Sequence, residues 1–525
     1  MIRNRKTIHL LPTRPTSAAM HYLAAGLLWL GIAAVTAGCG GVVHRVKSDR
    51  KPLIAVADAF SSAGSGERVA AAWWQVFGSN DLDRLCGEAL AGNLDLKRTG
   101  ARMAQAAAIA RQQGASLVPT VGVTGQVSAS QQNFFFGGGG PSGGAITVTQ
   151  VSFPLSLNIN WEIDIWGRAL NQRDAARLDV QAIARDQQAM ALSLTAQIAD
   201  AWLRLLETRA RVALLAKQHT LNEELLNLTK LRFGQGLASA VDVLQQEQQL
   251  QTIDAQTPSL ALAAELAANS LLALLGKAPG AKVSLSADAQ LPTLPALPST
   301  GVPAALLGRR PDVQAAQQRL IAADHRLGSA KAGLLPALRI GASTGFQGRA
   351  DPFGFLQNFV WNVLGGISAP IFQGGALKAE VSRNRAAVTD ALLAYTQVAQ
   401  RALWEVENAL TQERRQREML VAVDGRLALA RATLSQSRRR FAAGQSTYLP
   451  VLQALAIQQS LEGERIGVQR QILSTRIQLY RALAGREQDD AATASKAGTA
   501  GNAGNAGNAG TAGKTETTGK TGSAR

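Results

Sequence analysis

Two cysteines in 525 residues leave no material for a disulfide framework, and the few histidines stand too far apart to give a metal-ligand spacing. Aromatic residues are only 5% of the chain, and small residues dominate, which suits close helix packing better than one large globular core. No block of basic residues interleaved with aromatics occurs, so the surplus of 54 Lys and Arg over 37 Asp and Glu reads as a solvated surface and a nucleic-acid partner is excluded. Glycine and proline are absent from Arg168 to Phe233. The apolar run near the amino terminus, Tyr22 to Val35, is too short to span a bilayer as a helix.

That run follows basic residues and ends at Thr36-Ala37-Gly38-Cys39, the outline of a secretory signal peptide. Small residues directly before a cysteine are similar to a bacterial lipobox, in which the cysteine sulfur carries diacylglycerol and the new amino terminus is acylated. Thr36 departs from the Leu usual three residues before that cysteine. Removal of residues 1–38 takes away Arg3, Arg5, Lys6 and Arg14, lowering the formal charge from +17 to +13. With Cys39 acylated, Cys86 has no partner and reads as a small buried apolar residue.

From Thr147 the residues alternate. Thr147, Thr149, Val151, Phe153, Leu155, Leu157, Ile159 and Trp161 share one side, and Gln150, Ser152, Ser156, Asn158 and Asn160 the other, which predicts a strand. The glycine-free stretch that follows predicts a helix: Ala191, Ile198, Leu205 and Val212 step by seven along a buried stripe, while Gln197, Arg204, Arg211 and Gln218 step by seven along a solvated one. Unbroken, it would reach roughly 100 Å at about 1.5 Å per residue.

Upstream, residues 40–70 read as extended, Trp73 and Trp74 open the ordered body, and one helix is predicted from Asp81 to about Leu117. Pro119 starts another alternating run, with Val121, Val123, Val127 and Ala129 on one side. A glycine-rich loop, Asn133 to Gly144, joins the two runs. Downstream, Gly234 and Gly236 predict a turn into a helix from about Ala240 to Leu275, kinked at Pro258. The pattern then repeats. Asp95–Pro119 matches Asp312–Pro336, WGRAL at 166–170 matches QGGAL at 373–377, and LRFGQGLASAVDVLQ at 231–245 matches RRFAAGQSTYLPVLQ at 439–453. The second copy has its own alternating runs, Leu338 to Gln347 and Phe359 to Ile371. The expected organisation is a signal peptide over 1–38, an extended segment over 39–72, repeat one over 73–280, a Pro-rich linker over 281–303, repeat two over 304–488 and a disordered low-complexity tail over 489–525.

Strands with one apolar and one polar face suit a water-filled membrane barrel. A soluble β-sandwich with its apolar face inward is the competing reading. Four strands cannot close a barrel, and open edges are not viable in lipid, so a membrane reading requires several chains.

The duplicated plan, the lipobox and the motifs WEIDIWGR, LRFGQGLASAVDVL, RRPDVQAAQQRL and APIFQGGAL together resemble the TolC-like outer-membrane efflux proteins, in their NodT-type lipoprotein branch. The resemblance covers about residues 73–485. It implies a mixed α and β membrane protein, a homotrimer whose chains each give four strands to a twelve-stranded transmembrane β-barrel continuous with a long periplasmic α-helical barrel. The implied partners are a periplasmic adaptor and an inner-membrane resistance-nodulation-division pump. No enzymatic activity and no cofactor are implied. The implied adaptor-docking tips are Leu231, Arg232, Phe233, Gly236, Ala238 and Ser239 in repeat one and Arg440, Phe441, Gly444, Ser446 and Thr447 in repeat two. Gly236 and Gly444 would supply the positive φ that ends one helix, and Ser239 or Thr447 would cap the next. Asp242 and Gln453 fall at the implied periplasmic gate, where Asp242 can alternatively serve as a cap. Pro450 and Gln453 leave the second repeat without an acidic ring.

GASTG, Gly341–Gly345, matches a nucleophile pattern around Ser343 but lies inside an alternating run, where the strand-to-helix turn of a hydrolase is missing. The GKT triplets at 513–515 and 519–521 lack the preceding glycine of a phosphate loop. Two alternatives stay open, a duct for secreted protein or polysaccharide and a structural coiled-coil lipoprotein. Cys39→Ser is expected to abolish incorporation of labelled palmitate, read by gel fluorography or intact-mass spectrometry of the purified protein.

Overall fold

The computed structural model describes residues 44–484 apart from 45, 48, 63, 65–68, 71, 136–144, 287–289 and 350–357. The signal peptide, Cys39, most of the glycine-rich loop and the tail lie outside the described residues. After a 3-10 turn, Trp73–Phe77, come α1 (Asn80–Gly92), α2 (Leu94–Ala115), β1 (Thr120–Gly125), β2 (Ser128–Phe135), β3 (Ala145–Ile163), α3 (Arg168–Gly234) and α4 (Ala240–Leu274). Then α5 (Pro303–Arg309), α6 (Pro311–Ala332), β4 (Ala337–Arg349), β5 (Phe359–Ser368), α7 (Ala376–Ala442) and α8 (Leu449–Leu483) follow. The duplication extends to length: α2 and α6 have 22 residues each, α3 and α7 have 67, and α4 and α8 have 35.

The chain divides into two compact units. One holds the strands, within 109–177 and 321–389 of the described residues, together with His44 to Arg50 where described. Its sheet is antiparallel in the order β1-β3-β4-β5, with β2 also on β3. The register aligns one kind of side chain across it. Val121 lies opposite Ile159, which lies opposite Ala342 and then Val363; one row further along, Val123, Leu157, Thr344 and Trp361 align, and Leu155, Phe346 and Phe359 follow. Thr124, Ser156, Asn158, Asn160, Ser343 and Asn362 point to the opposite face, since neighbours along a strand alternate.

The first alternating run is two strands rather than one. β1 and β2 keep a common register on β3, and the break at Gln126 and Val127 falls opposite Pro154 and Phe153. Pro154 has no N–H to donate, so the ladder lapses there, although its carbonyl still accepts from Gln126 N–H at 3.0 Å. β5 stops at Ser368, three residues short of the expected Ile371. The helix expected from Asp81 to Leu117 is also split. Asn93 ends α1 and caps α2: its Oδ1 accepts from the N–H groups of Asp95 and Leu96 at 3.0 and 3.1 Å, and its Nδ2 donates to the Leu274 carbonyl. Pro258 lies inside α4 without ending it.

Within the strand-bearing unit, His44, Lys47 and Arg50 are docked on α6. The fully buried Asp324 accepts from Lys47 N–H at 2.7 Å, His44 Nε2 at 3.1 Å and Arg50 Nη2 at 3.1 Å. On the same helix, Lys331 Nζ lies 3.0 Å from His44 Nδ1.

The other unit, within 51–108, 178–320 and 390–484 of the described residues, holds the largest core. Trp73 is wholly buried and stacks on Tyr480 at 5.9 Å between ring centres, among Leu82, Leu85 and Cys86 of α1, Leu203 and Leu206 of α3, Leu271 of α4 and Ile477 of α8. Burial pushes the Cys86 thiol up to about 12, which makes it an inert core residue, as expected. The heptad stripe of α3 behaves as expected at Ile198 and Leu205 but fails at Val212, which is 43% exposed while Leu215 is buried. A straight helix drifts about 20° per heptad against a strict repeat of seven, so the buried face moves to other positions. The Pro-rich stretch before α5 is clamped: Arg476, fully buried and paired to Glu413, donates to the carbonyls of Pro295 and Ala296 at 2.6 Å.

Asp324→Ala is expected to leave Arg50 and Lys47 N–H without their acceptor and to speed tryptic cleavage at Lys47 and Arg50 several-fold, with the far-UV helical signal unchanged; digestion followed by peptide mapping checks this.

Candidate functional site: the paired helix-turn-helix ends

α3 and α7 end alike because the same turn chemistry occurs in both copies. Gly236 has φ +71° and Gly444 φ +72°, the left-handed conformation that glycine adopts without Cβ strain. At the first end, Gly236 N–H donates to the Phe233 carbonyl and Leu237 N–H to that of Arg232, both at 2.9 Å; at the second, Gly444 N–H reaches Phe441 at 3.0 Å and Gln445 N–H reaches Arg440 at 2.9 Å. Both pairs are Schellman closures that satisfy the last helical carbonyls.

The restart of the chain differs. Ser239 and Asp242 form a reciprocal capping box: Ser239 Oγ accepts from Asp242 N–H at 3.2 Å, and Asp242 Oδ2 accepts from Ser239 N–H at 2.9 Å. Thr447 does not cap α8. The cap position is Tyr448, whose side chain makes no capping bond. Three residues after Thr447 stands Pro450, which has no N–H to offer a capping hydroxyl. Asp242, expected at the gate or as a cap, has its carboxylate in the cap.

The two ends are joined, and asymmetrically. Arg232 lies over the Phe441 ring at 4.6 Å and donates to the Phe441 carbonyl at 3.4 Å, while Phe441 packs on Tyr448 at 5.0 Å. Their counterparts Arg440 and Phe233 are exposed. Leu231, Ala240's neighbour Val241, Leu237 and Leu244 add an apolar surface, each about or above 60% exposed. Ala238 and Ser446 are half-buried, Ser446 Oγ has no hydrogen-bond partner, and Gln453 is exposed.

Sequence reasoning missed the support beneath these ends. Tyr448 OH donates to Gln246 Oε1 at 2.8 Å, and Gln246 Nε2 donates to the Asn222 carbonyl and Oδ1 at 3.0 and 3.1 Å. All three residues are buried, and burial pushes the Tyr448 hydroxyl above its ordinary range. Three polar side chains at core positions of otherwise apolar stripes were the available signal. Ser343, by contrast, sits within β4 and donates to Asn362 Oδ1 at 3.0 Å across the sheet. β4 runs on to Arg349, so no strand-to-helix turn presents that hydroxyl.

A family model described as "Outer membrane efflux protein" matches residues 85–277 and 302–485. The chain belongs to that family. The "Pyoverdine export outer membrane protein OpmQ" of Pseudomonas putida is 30% identical over 430 residues, covering 80% of this chain and 89% of the relative. The "Toluene efflux pump outer membrane protein TtgF" of the same species is 30% identical over 419 residues, covering 78% and 85%. Among solved structures, the outer-membrane channel OprN superposes with a TM-score of 0.75 at 28% identity, covering 84% of this chain and 99% of that one. This efflux protein is therefore an outer-membrane export channel, and members of its family are channels rather than enzymes.

Ser239→Ala is expected to lower stability by about 1 kcal/mol through loss of the capping box, whereas Thr447→Ala leaves it within about 0.5 kcal/mol. Thermal unfolding of the two purified variants, side by side, makes the comparison.

Proposed function

We propose that three copies of this efflux protein close one twelve-stranded transmembrane β-barrel, continuous with a periplasmic α-helical barrel, and that the assembly is a passive, gated exit duct for small molecules. The observation that carries this is the sheet: one face is apolar across all four aligned strands, the other is mainly polar on β1, β3 and β4, and both outer strands lack partners among the described residues. From Val151 to Ile163 the apolar face runs twelve steps along β3, roughly 40 Å at about 3.3 Å per residue. Tilted by about 45°, it covers about 28 Å of depth, near the apolar band of about 25 Å in outer-membrane barrels. A β-sandwich would need a second sheet over the apolar face, and the sheet of this chain has none among the described residues.

In this reading Cys39 is lipidated and anchors the chain in the outer membrane, with repeats over 73–280 and 304–488 joined through 281–303. The tips, Leu231, Arg232, Phe233, Gly236, Ala238, Ser239, Arg440, Phe441, Gly444, Ser446 and Thr447, dock a periplasmic adaptor, which links the duct to an inner-membrane resistance-nodulation-division pump. Their exposed apolar surface supports that role. Asp242 and Gln453 narrow the periplasmic gate; a carboxylate committed to a helix cap keeps one oxygen for the lumen. The relatives' names, pyoverdine export and toluene efflux, favour small solutes over protein or polysaccharide.

Cross-linking of the purified protein in detergent is expected to give a trimer, and liposomes carrying it are expected to conduct ions. A monomer without conductance would instead favour a tethering lipoprotein.

A further inference from the structure

The strands contain very little charge. Glu162, Arg339 and Arg349 are their only ionisable acidic or basic residues. Glu162 and Arg339 lie directly opposite each other in the β3–β4 register, on the polar face, at the end of the sheet from which α3 departs. Glu162 is shared: Oε1 accepts from Arg168 Nη2 at 2.6 Å and Nε at 3.2 Å, and Oε2 accepts from Arg339 Nε at 3.3 Å. The other nearby carboxylate, Asp164, is taken up by Leu170 N–H at 2.7 Å.

Exposure separates the signs. The Arg339 side chain is 66% exposed and that of Arg168 50%, against 26% for Glu162. The reason is local. Across β4–β5 the residue opposite Arg339 is Gly366, and the next residue on the same face of β4 is Gly341, so neither neighbour has a side chain to cover the guanidinium. Arg339, Glu162, Asn160, Gly341, Leu364 and Gly366 line part of a hollow of about 490 Å³. An uncovered guanidinium above glycines, held to the shared carboxylate through Nε, suits a carboxylate or phosphate group approaching from water.

We propose that Arg339 is an anion-attracting site on the water-filled face of the barrel, and that the duct on this account favours solutes carrying carboxylate or phosphate groups. The proposal rests on the barrel reading above. Repeated in three chains, it sets a ring of exposed guanidinium groups at the level where the strands meet the helices, with Glu162 tempering the charge. In a wide aqueous lumen such a field is screened over about 8 Å at physiological salt and about 30 Å at 0.01 M, so the preference strengthens as salt falls. A purely structural tie between β3, β4 and the start of α3 would predict no such effect.

The test is the reversal potential of the full-length protein in planar bilayers under a potassium chloride gradient at low salt, for wild type, Arg339→Glu, Arg339→Gln and Glu162→Gln. Arg339→Glu and Arg339→Gln are expected to lower the chloride-to-potassium permeability ratio, the former by about twofold or more, and Glu162→Gln to raise it, with the differences shrinking at high salt. Both Arg339→Gln and Glu162→Gln break the same ion pair, so a structural tie moves them together and only a lumenal charge moves them in opposite directions. Equal ratios in all conducting variants would overturn the proposal while leaving the channel intact. Absence of current from the wild type would instead sink the barrel reading beneath it.

Discussion

An unpaired peptide group in hydrocarbon costs several kcal/mol, and a sheet with two open edges presents a whole row of them on each side. One chain of this efflux protein has β1 and β2 at one edge and β5 at the other, with no partner for either among the described residues. Much else follows from that constraint. On the proposed barrel reading, lipid covers the apolar face, and the edges are tolerable only where further copies pair with them. The low charge of the strands belongs to the same demand, since a buried charge on the lipid side would undo insertion. Of the few charges on the strands, Glu162 and Arg339 lie opposite each other on the face away from the apolar rows, which the barrel reading turns to water.

The far ends of the long helices answer a different requirement, that of stopping and restarting a helix in very few residues. Glycine at φ near +70° solves the stop in both copies, and duplication preserved it. The restart diverged. Ser239 with Asp242 closes a capping box, while Pro450 makes the same device impossible in the second copy. Tyr448 occupies that space instead, under Phe441 and bonded to Gln246, and this lets Arg232 bridge the two ends while Arg440 is left in water. Two ends with related sequences thus present unlike surfaces.

Much of the fold was legible because its signals are local. Alternation with period two is visible in any strand whose faces meet different media, and WGR, Gly236 and Gly444 mark turns by backbone conformation alone. The errors share a cause. The interruption at Gln126 is imposed by Pro154 across the sheet, and the exposure of Val212 comes from helical drift accumulated over several turns. The break at Asn93 was missed because its capping side chain also reaches Leu274, far along the chain. For the candidate site, the glycines and Ser239 are legible, Thr447 fails as a cap because Pro450 lacks the N–H it would need, and the Asn222–Gln246–Tyr448 network exists only once three helices are brought together.

By itself, the sequence determined the duplicated order of helices and strands, the two faces of each strand, the glycine turns and the family to which the chain belongs, since each depends on neighbours a few residues away. Only the tertiary structure decided which apolar residues align into one continuous face, that Asp324 holds His44 and Arg50, and that Arg339 stands uncovered above Gly341 and Gly366. Those facts depend on register and packing between segments hundreds of residues apart, and no local pattern encodes which of many compatible partners a side chain will meet.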